Sequence, residues 1–462
     1  MAIGPALALS GLLANPLDLG RLLDPGRSRP PMPFHEATLD NGLRVVILPD
    51  HDTPLVALHL QLNVGGADDP DDRPGVAHLF EHLMFGGSAH APAGAFDRLL
   101  AAAGGDNNAW TDLDHTAYHL VVPRGALDLA LFLESDRLGF LAGGLTTDEL
   151  ENQRKVVAGE YGIADDEPHG MDAEALAFAF YPEGHPYRRG VLGQMGRLAA
   201  ASREELLAFH AAWYRPDNLT LALVGDVDPE AALARVAHWF GDIPRPTAPM
   251  PTRRSAPAVR IEGEQRRVYV DEIDDASLVI AWPTVPAGHP DEAPLDLLSS
   301  LLSSGPGSRL DDALYYDQRR VDSLSAWTEN GRLGGRFHIE LSQQEGPLGP
   351  SLRHLDAALD AVRRSPPTAA EVRRIQVRWA GGFLRQGTGL EERAELINRC
   401  LWLRGDPDCQ GWHEARYAAL TAQDIARVLD TYLHPKNRLL LSVVSPEERD
   451  FALAGSTAVE VW

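Results

Sequence analysis

The chain is written twice, and that constrains its fold more than any other feature. Residues 244–257 read PRPTAPMPTRRSAP, five prolines in fourteen residues with no apolar period. Proline locks φ and removes an N–H donor, so such a stretch joins neither a helix nor a sheet and acts as a stiff spacer. The segments on either side echo each other. YRPDNLTLALVGDVDPE from Tyr214 is answered by LHPKNRLLLSVVSPEE from Leu433. In each, an X-Pro step ends a helix, an asparagine follows, and an apolar strand runs into an acidic turn. Upstream, TTDELENQRKVV from Thr146 is matched by TAAEVRRIQVRW from Thr368, both capped starts of amphipathic helices. Two long repeats imply a duplicated α+β domain rather than a solenoid.

Inside the first repeat, residues 43–50, 55–66 and 115–123 read as strands, and 74–85, 93–103, 125–141 and 146–163 as helices. Strands, helices and strands again suggest a mostly antiparallel sheet covered by helices. The expected organisation is an N-terminal arm or weak leader over 1–33, a first domain over 34–243, the linker 244–257 and a second domain over 258–455.

Composition narrows the partners. Of 462 residues, 42 are Lys or Arg and 66 are Asp or Glu, so the formal net charge is 42 − 66 = −24. An acidic chain repels phosphate backbones, which argues against nucleic acid. No apolar run approaches the roughly 20 residues of a membrane-spanning helix. The opening MAIGPALALSGLLANP carries no Lys or Arg and is interrupted by Pro5, unlike a secretory leader. The compartment stays open, with the cytoplasm favoured over the periplasm. Cys400 and Cys409 do not make a disulfide framework; free thiols are expected, although their closeness permits one bond in an oxidising compartment.

The stretch GVAHLFEHLMFGG, residues 75–87, places His78, Glu81 and His82 within five residues. On a helix the two histidines sit about 40° apart on one face, with Glu81 about 60° to the other side of His78. Asp72 and Pro74 supply start signals and Gly86–Gly87 a stop. Two imidazoles one turn apart can grip a zinc ion, which lowers the pKa of a bound water toward 7, and a neighbouring carboxylate that is not a ligand can take its proton. Chance alone produces this spacing about 0.04 times in a chain of this composition, so the motif needs context. Its order, His-x-x-Glu-His, is the inverse of the usual zinc peptidase motif. A third ligand is required, and ELENQRKVVAGEYG at 149–162 offers Glu149, Glu151 and Glu160.

HLFEH, GGDNNAWTDLDHTAY at 104–118, ENQRKVVAGEYG, YPEGHPYRRGVLG at 181–193 and WYRPDNLTLALVGD at 213–226, in this order, resemble the pitrilysin or insulinase family of zinc endopeptidases, which includes the mitochondrial processing peptidases. The resemblance runs from about residue 34 to 450 and is stronger in the first half. It implies that His78 and His82 are zinc ligands, Glu160 the third ligand, and Glu81 the base, with one zinc per chain. The family's supporting carboxylate falls on Gln153, which leaves Glu151 as a substitute. Asn107, Asn108 and Ala109 match the family's substrate-binding strand, to whose edge a peptide adds by main-chain hydrogen bonds. His115, His119 and His185 are expected to be structural.

The second repeat lacks the motif. EAPLDLLSSLLSSG, residues 292–305, places Asp296, Ser299 and Ser300 where the first has its histidines and glutamate, so it is expected to bind no zinc. Single-chain relatives carry an Arg/Tyr pair that holds substrate; the corresponding places here are Tyr315 and Asp322, with Arg319 and Arg320 close by. The resemblance therefore implies half of a clamshell, completed as a dimer, either with a second copy or with a zinc-less homologue that supplies the pair. The expected activity is zinc-dependent cleavage of peptides or unfolded segments inside a closed chamber. The alternatives are a non-catalytic core or assembly subunit of the same architecture and a dedicated precursor-processing peptidase.

Overall fold

A computed structural model describes residues 32–316 and 319–461. The arm or leader expected over 1–33 lies outside the described residues, apart from Met32 and Pro33. Two six-stranded sheets organise the chain. The first contains β1 (His35–Thr38), β2 (Arg44–Pro49), β3 (Leu55–Leu62), β4 (Asp106–Thr111), β5 (Thr116–Pro123) and β6 (Leu219–Gly225), in spatial order β1-β2-β6-β3-β5-β4. The second contains β7 (Gly263–Val270), β8 (Ala276–Thr284), β9 (Ser323–Gly331), β10 (Gly334–Gln343), β11 (Asn437–Val444) and β12 (Thr457–Ala458), in order β12-β7-β11-β8-β10-β9.

The duplication is explicit in the pairing. In each sheet the last long strand inserts beside the first in parallel, β6 against β2 and β11 against β7. The remaining long-strand neighbours are antiparallel, β6-β3-β5-β4 in one sheet and β11-β8-β10-β9 in the other. The asparagine-led apolar runs at 219 and 437 are these inserted strands, which is why they read alike.

Central strands carry apolar residues on both faces because both faces are covered. On β2, Val45 and Ile47 join the core beneath the first half's own helices, while Val46 and Leu48 face the opposite way with Ala222 and Val224 of β6. Covering them are Ala394, Ile397 and Leu401 of the Leu390–Arg404 helix, which comes from the second half. The loan is reciprocal. Ala175, Leu176 and Phe180 of the Asp172–Phe180 helix, from the first half, cover Val279, Ala281, Leu439 and Leu441 of the second sheet.

A polar junction fixes the halves further. Asp114, in the β4–β5 turn, accepts hydrogen bonds from the Tyr187 hydroxyl and from the Arg332 main-chain N–H at 2.8 Å. Arg253, in the proline-rich segment, donates to Asp68 at 2.8 Å and to the Asp114 carbonyl at 2.7 Å. The segment is thus a clamped strap.

The free-thiol expectation is overturned. Cys400 in the last turns of the Leu390–Arg404 helix and Cys409, just before the Gln410–Ala418 helix, form a disulfide with Cα atoms 5.2 Å apart. The chain doubles back at Gly405 and brings both buried sulfurs together, a path the spacing alone does not reveal.

Candidate metal centre

The Val76–Gly86 helix packs its Val76, Ala77, Leu79, Phe80, Leu83 and Met84 into the first core. That leaves His78, Glu81 and His82 on the partly open face. Its start differs from the one read in the sequence. Gly75 caps it with φ +95°, a left-handed conformation glycine adopts readily, and Asp69 does the polar work. One Asp69 oxygen accepts the Gly75 N–H at 2.6 Å and the other the Ala77 N–H at 2.8 Å. Asp72 instead pairs with Arg73 at the surface. Gly193, the last residue of the YPEGHPYRRGVLG segment, has φ +69° and lies against the Pro74–Gly75 backbone, where a Cβ would come within 2.3 Å. The helix start is therefore held by the nearby Asp69 and by one distant segment, at Gly193.

The Thr147–Asp166 helix packs beside it, capped by the Thr146 hydroxyl, which accepts the Glu149 N–H at 3.1 Å. It delivers Glu160 to the histidines. His78 Nε2 and His82 Nε2 are 3.4 Å apart, and Glu160 Oε2 lies 3.7 Å from the first and 3.2 Å from the second. The two rings stand nearly perpendicular, with centroids 4.9 Å apart. Among the described residues, these three form the one group of His, Cys, Asp and Glu side chains whose donor atoms are close enough to share a cation. Burial, reinforced by His82, lowers the His78 pKa to about 4, so its imidazole is neutral and keeps a lone pair for coordination. Two imidazole nitrogens and one carboxylate are a donor set that suits zinc.

Glu81 does not join the three donors. Its Oε2 accepts a hydrogen bond from the Thr111 hydroxyl, at the end of β4, at 2.5 Å. Burial raises its pKa, with the Thr111 bond opposing, so Glu81 is a stronger proton acceptor than a solvated carboxylate. Sequence reasoning misses Thr111 because its partner is 30 residues away.

Asn107, Asn108 and Ala109 lie on β4, the edge of the first sheet. The Ala109 N–H donates to Asn108 Oδ1 at 2.9 Å. Asn107 Nδ2 donates to Asp97 at 3.3 Å and ties β4 to the Ala95–Ala102 helix. Glu151 pairs with Arg154 at the surface and Gln153 donates to Glu149 at 2.8 Å, so Glu151 plays no part in the centre.

In the second sheet, Asp296 of the Glu292–Leu302 helix accepts hydrogen bonds from the Thr328 and Tyr417 hydroxyls, and the Ser299 hydroxyl donates to the Asp296 carbonyl at 2.8 Å. Tyr315 is exposed and packs edge-on against Tyr316, while Asp322 accepts the Gln344 N–H at 2.8 Å. His115 and His185 are buried, as structural residues are.

Two linked α+β sheets, with a His-x-x-Glu-His helix in the first and none in the second, define a peptidase class. The comparisons agree on it. The profile described as Insulinase (Peptidase family M16) matches residues 44–190, and that described as Peptidase M16 inactive domain matches residues 200–377. The uncharacterized zinc protease Rv2782c of Mycobacterium tuberculosis is 30% identical over 78% of this chain and 81% of its own length. Zinc protease PqqE of Helicobacter pylori is 26% identical over 87% and 90%. The crystal structure of a protease from Helicobacter pylori superposes with a TM-score of 0.83 at 24% identity, covering 89% of this chain and 99% of that one. The chain belongs to the M16 pitrilysin/insulinase peptidase family.

Proposed function

We propose that this chain is a zinc-dependent endopeptidase that cleaves peptides or unfolded segments. The observation that carries the reading is the convergence of His78, His82 and Glu160, from two helices and 78 to 82 residues apart in sequence, beside a fourth group, Glu81, that is not needed for binding. One zinc per chain would be held by the three donors and, when bound, would act as a Lewis acid toward water and a peptide carbonyl. Glu81 takes a proton from the attacking water and returns it to the leaving amine. Thr111 holds the Glu81 carboxylate in one position by its hydrogen bond. The open edge of β4, with Asn107, Asn108 and Ala109, receives the substrate main chain as an added strand and so sets the scissile bond beside Glu81.

A non-catalytic core or assembly subunit is the rival reading. The inactive-domain profile matches 200–377, which leaves the helix with all three motif residues under the other profile, and this supports catalysis. A dedicated precursor-processing role would use the same chemistry on a narrower substrate. With Tyr315 and Asp322 where an Arg/Tyr pair would stand, we infer a dimer, either of two copies or with a zinc-less homologue that supplies the pair. The Cys400–Cys409 bond supports an oxidising compartment over the cytoplasm.

Hydrolysis of an unfolded peptide by the purified chain, alone and mixed with its partner, tests the reading. Chelation should abolish hydrolysis and zinc should restore it. Chelator-insensitive hydrolysis, or none from chain and partner together, would overturn it.

A further inference from the structure

The first sheet has a second polar cavity, on the face opposite the metal centre. It measures about 510 Å³ and is lined by His59 of β3, His119 of β5, Trp110 of β4, and Glu391 and Glu395 of the second-half helix Leu390–Arg404. Trp110 and Glu395 also line the neighbouring 680 Å³ cavity between the two halves, which reaches Thr111 and hence Glu81. Successive residues on a strand point to opposite faces, so Thr111 serves the metal side and Trp110 this one.

The cavity holds a polar group with no partner. His59 is 1% exposed and its Nε2 meets no hydrogen-bonding atom. Its tautomer is set by Asn398. The Asn398 Nδ2 donates to the His59 carbonyl at 2.9 Å and lies 2.8 Å from His59 Nδ1. A carbonyl only accepts, so the amide nitrogen faces His59, Nδ1 is the acceptor, and the ring proton sits on Nε2. A protonated Nε2 is a poor metal ligand, and this cluster does not bring three donor atoms together as the metal centre does. What it offers is a fixed donor on His59, the indole of Trp110 and two carboxylates. His119 Nδ1 stands 3.0 Å from Glu391. A cation between the carboxylates and the indole would satisfy both, and a water between it and His59 would accept the ring proton.

We propose that this cavity is a specificity subsite for a lysine or arginine side chain of the substrate. The inference rests on the peptidase reading above, because it places the peptide as a strand along β4. On such a strand alternate side chains face the metal centre and the rest face this cavity. A basic residue is therefore recognised at one position of that parity relative to the scissile bond.

The test scans one lysine through an otherwise neutral labelled peptide and measures binding by fluorescence anisotropy to the Glu81→Gln chain, with hydrolysis by the unsubstituted chain in parallel. Binding should tighten about tenfold at one position, and glutamate there should weaken it. In a Glu391→Gln/Glu395→Gln background the ratio between lysine and neutral peptides should fall to about one. Equal binding at all positions, or a lysine gain that survives the double substitution, would overturn the subsite. Because exchanging lysine for glutamate changes only the peptide, that comparison stands even if the double variant fails to fold. If no peptide is hydrolysed with or without the partner, the peptidase reading itself fails; if neutral and lysine peptides are cleaved alike, only the subsite does.

Discussion

At the residue scale, the candidate centre divides its tasks between groups whose surroundings differ. His78 is kept neutral by burial, which suits a ligand, and Glu81 is made more basic by burial, which suits a proton acceptor. Thr111 is the contact that holds the Glu81 carboxylate in place. Thr111→Val should leave metal content unchanged and lower kcat about tenfold, the worth of one hydrogen bond to a carboxylate. Single-turnover rates set beside zinc content check this. An unchanged kcat would remove Thr111 from the account. His78, Glu81 and His82 are legible in the sequence because a helix turns local spacing into a shared face. Thr111, Asp69 and His59 are not, because each acts through a neighbour that only the fold provides.

At the element scale, equivalent helices of the two halves show how duplication diverges. Thr146 and Thr368 both cap their helices by accepting the N–H of the third residue on, Glu149 and Glu371. Glu149 is engaged by Gln153, whereas Glu371 receives both arms of Arg309 at 2.6 and 2.9 Å. Hydrogen bonding from Arg309 lowers the Glu371 pKa to about 2. A carboxyl depressed in the folded state stabilises the fold above its unfolded pKa, about 4.3, and loses that contribution as pH falls toward 2. Stability of the native chain should therefore drop between about pH 4.5 and 2, and Glu371→Gln should flatten that limb. Urea midpoints measured across this range decide it, since parallel curves for the two proteins would contradict the pairing. The capped helix starts and the inserted strands are legible from Thr-x-x-Glu and X-Pro-x-Asn patterns. The short β1 is not, because HEAT carries no apolar alternation to mark it.

At the scale of the molecule, the halves are joined by exchange rather than by a loose tether. Each lends a helix to the other's sheet, and Arg253 binds the connecting strap to the first half. The Cys400–Cys409 bond secures the helix that covers the first sheet and carries Glu391 and Glu395. Cys400→Ser/Cys409→Ser should lower stability by about 2–3 kcal/mol, as expected for a loop of this length, and loosen that helix in hydrogen exchange. No shift in either measurement would mean that packing alone holds it. This exchange has no sequence signature, since the segments that meet are separated by hundreds of residues. The chemistry turns on one carboxylate beside three donors. Turnover of an unfolded peptide is measured for the native chain and for Glu81→Gln, each with its zinc content determined by native mass spectrometry. About one zinc per chain is expected in both proteins, with hydrolysis by the native chain and none by Glu81→Gln. Hydrolysis that persists in Glu81→Gln, or a native chain that turns over peptide with no zinc bound, would contradict it.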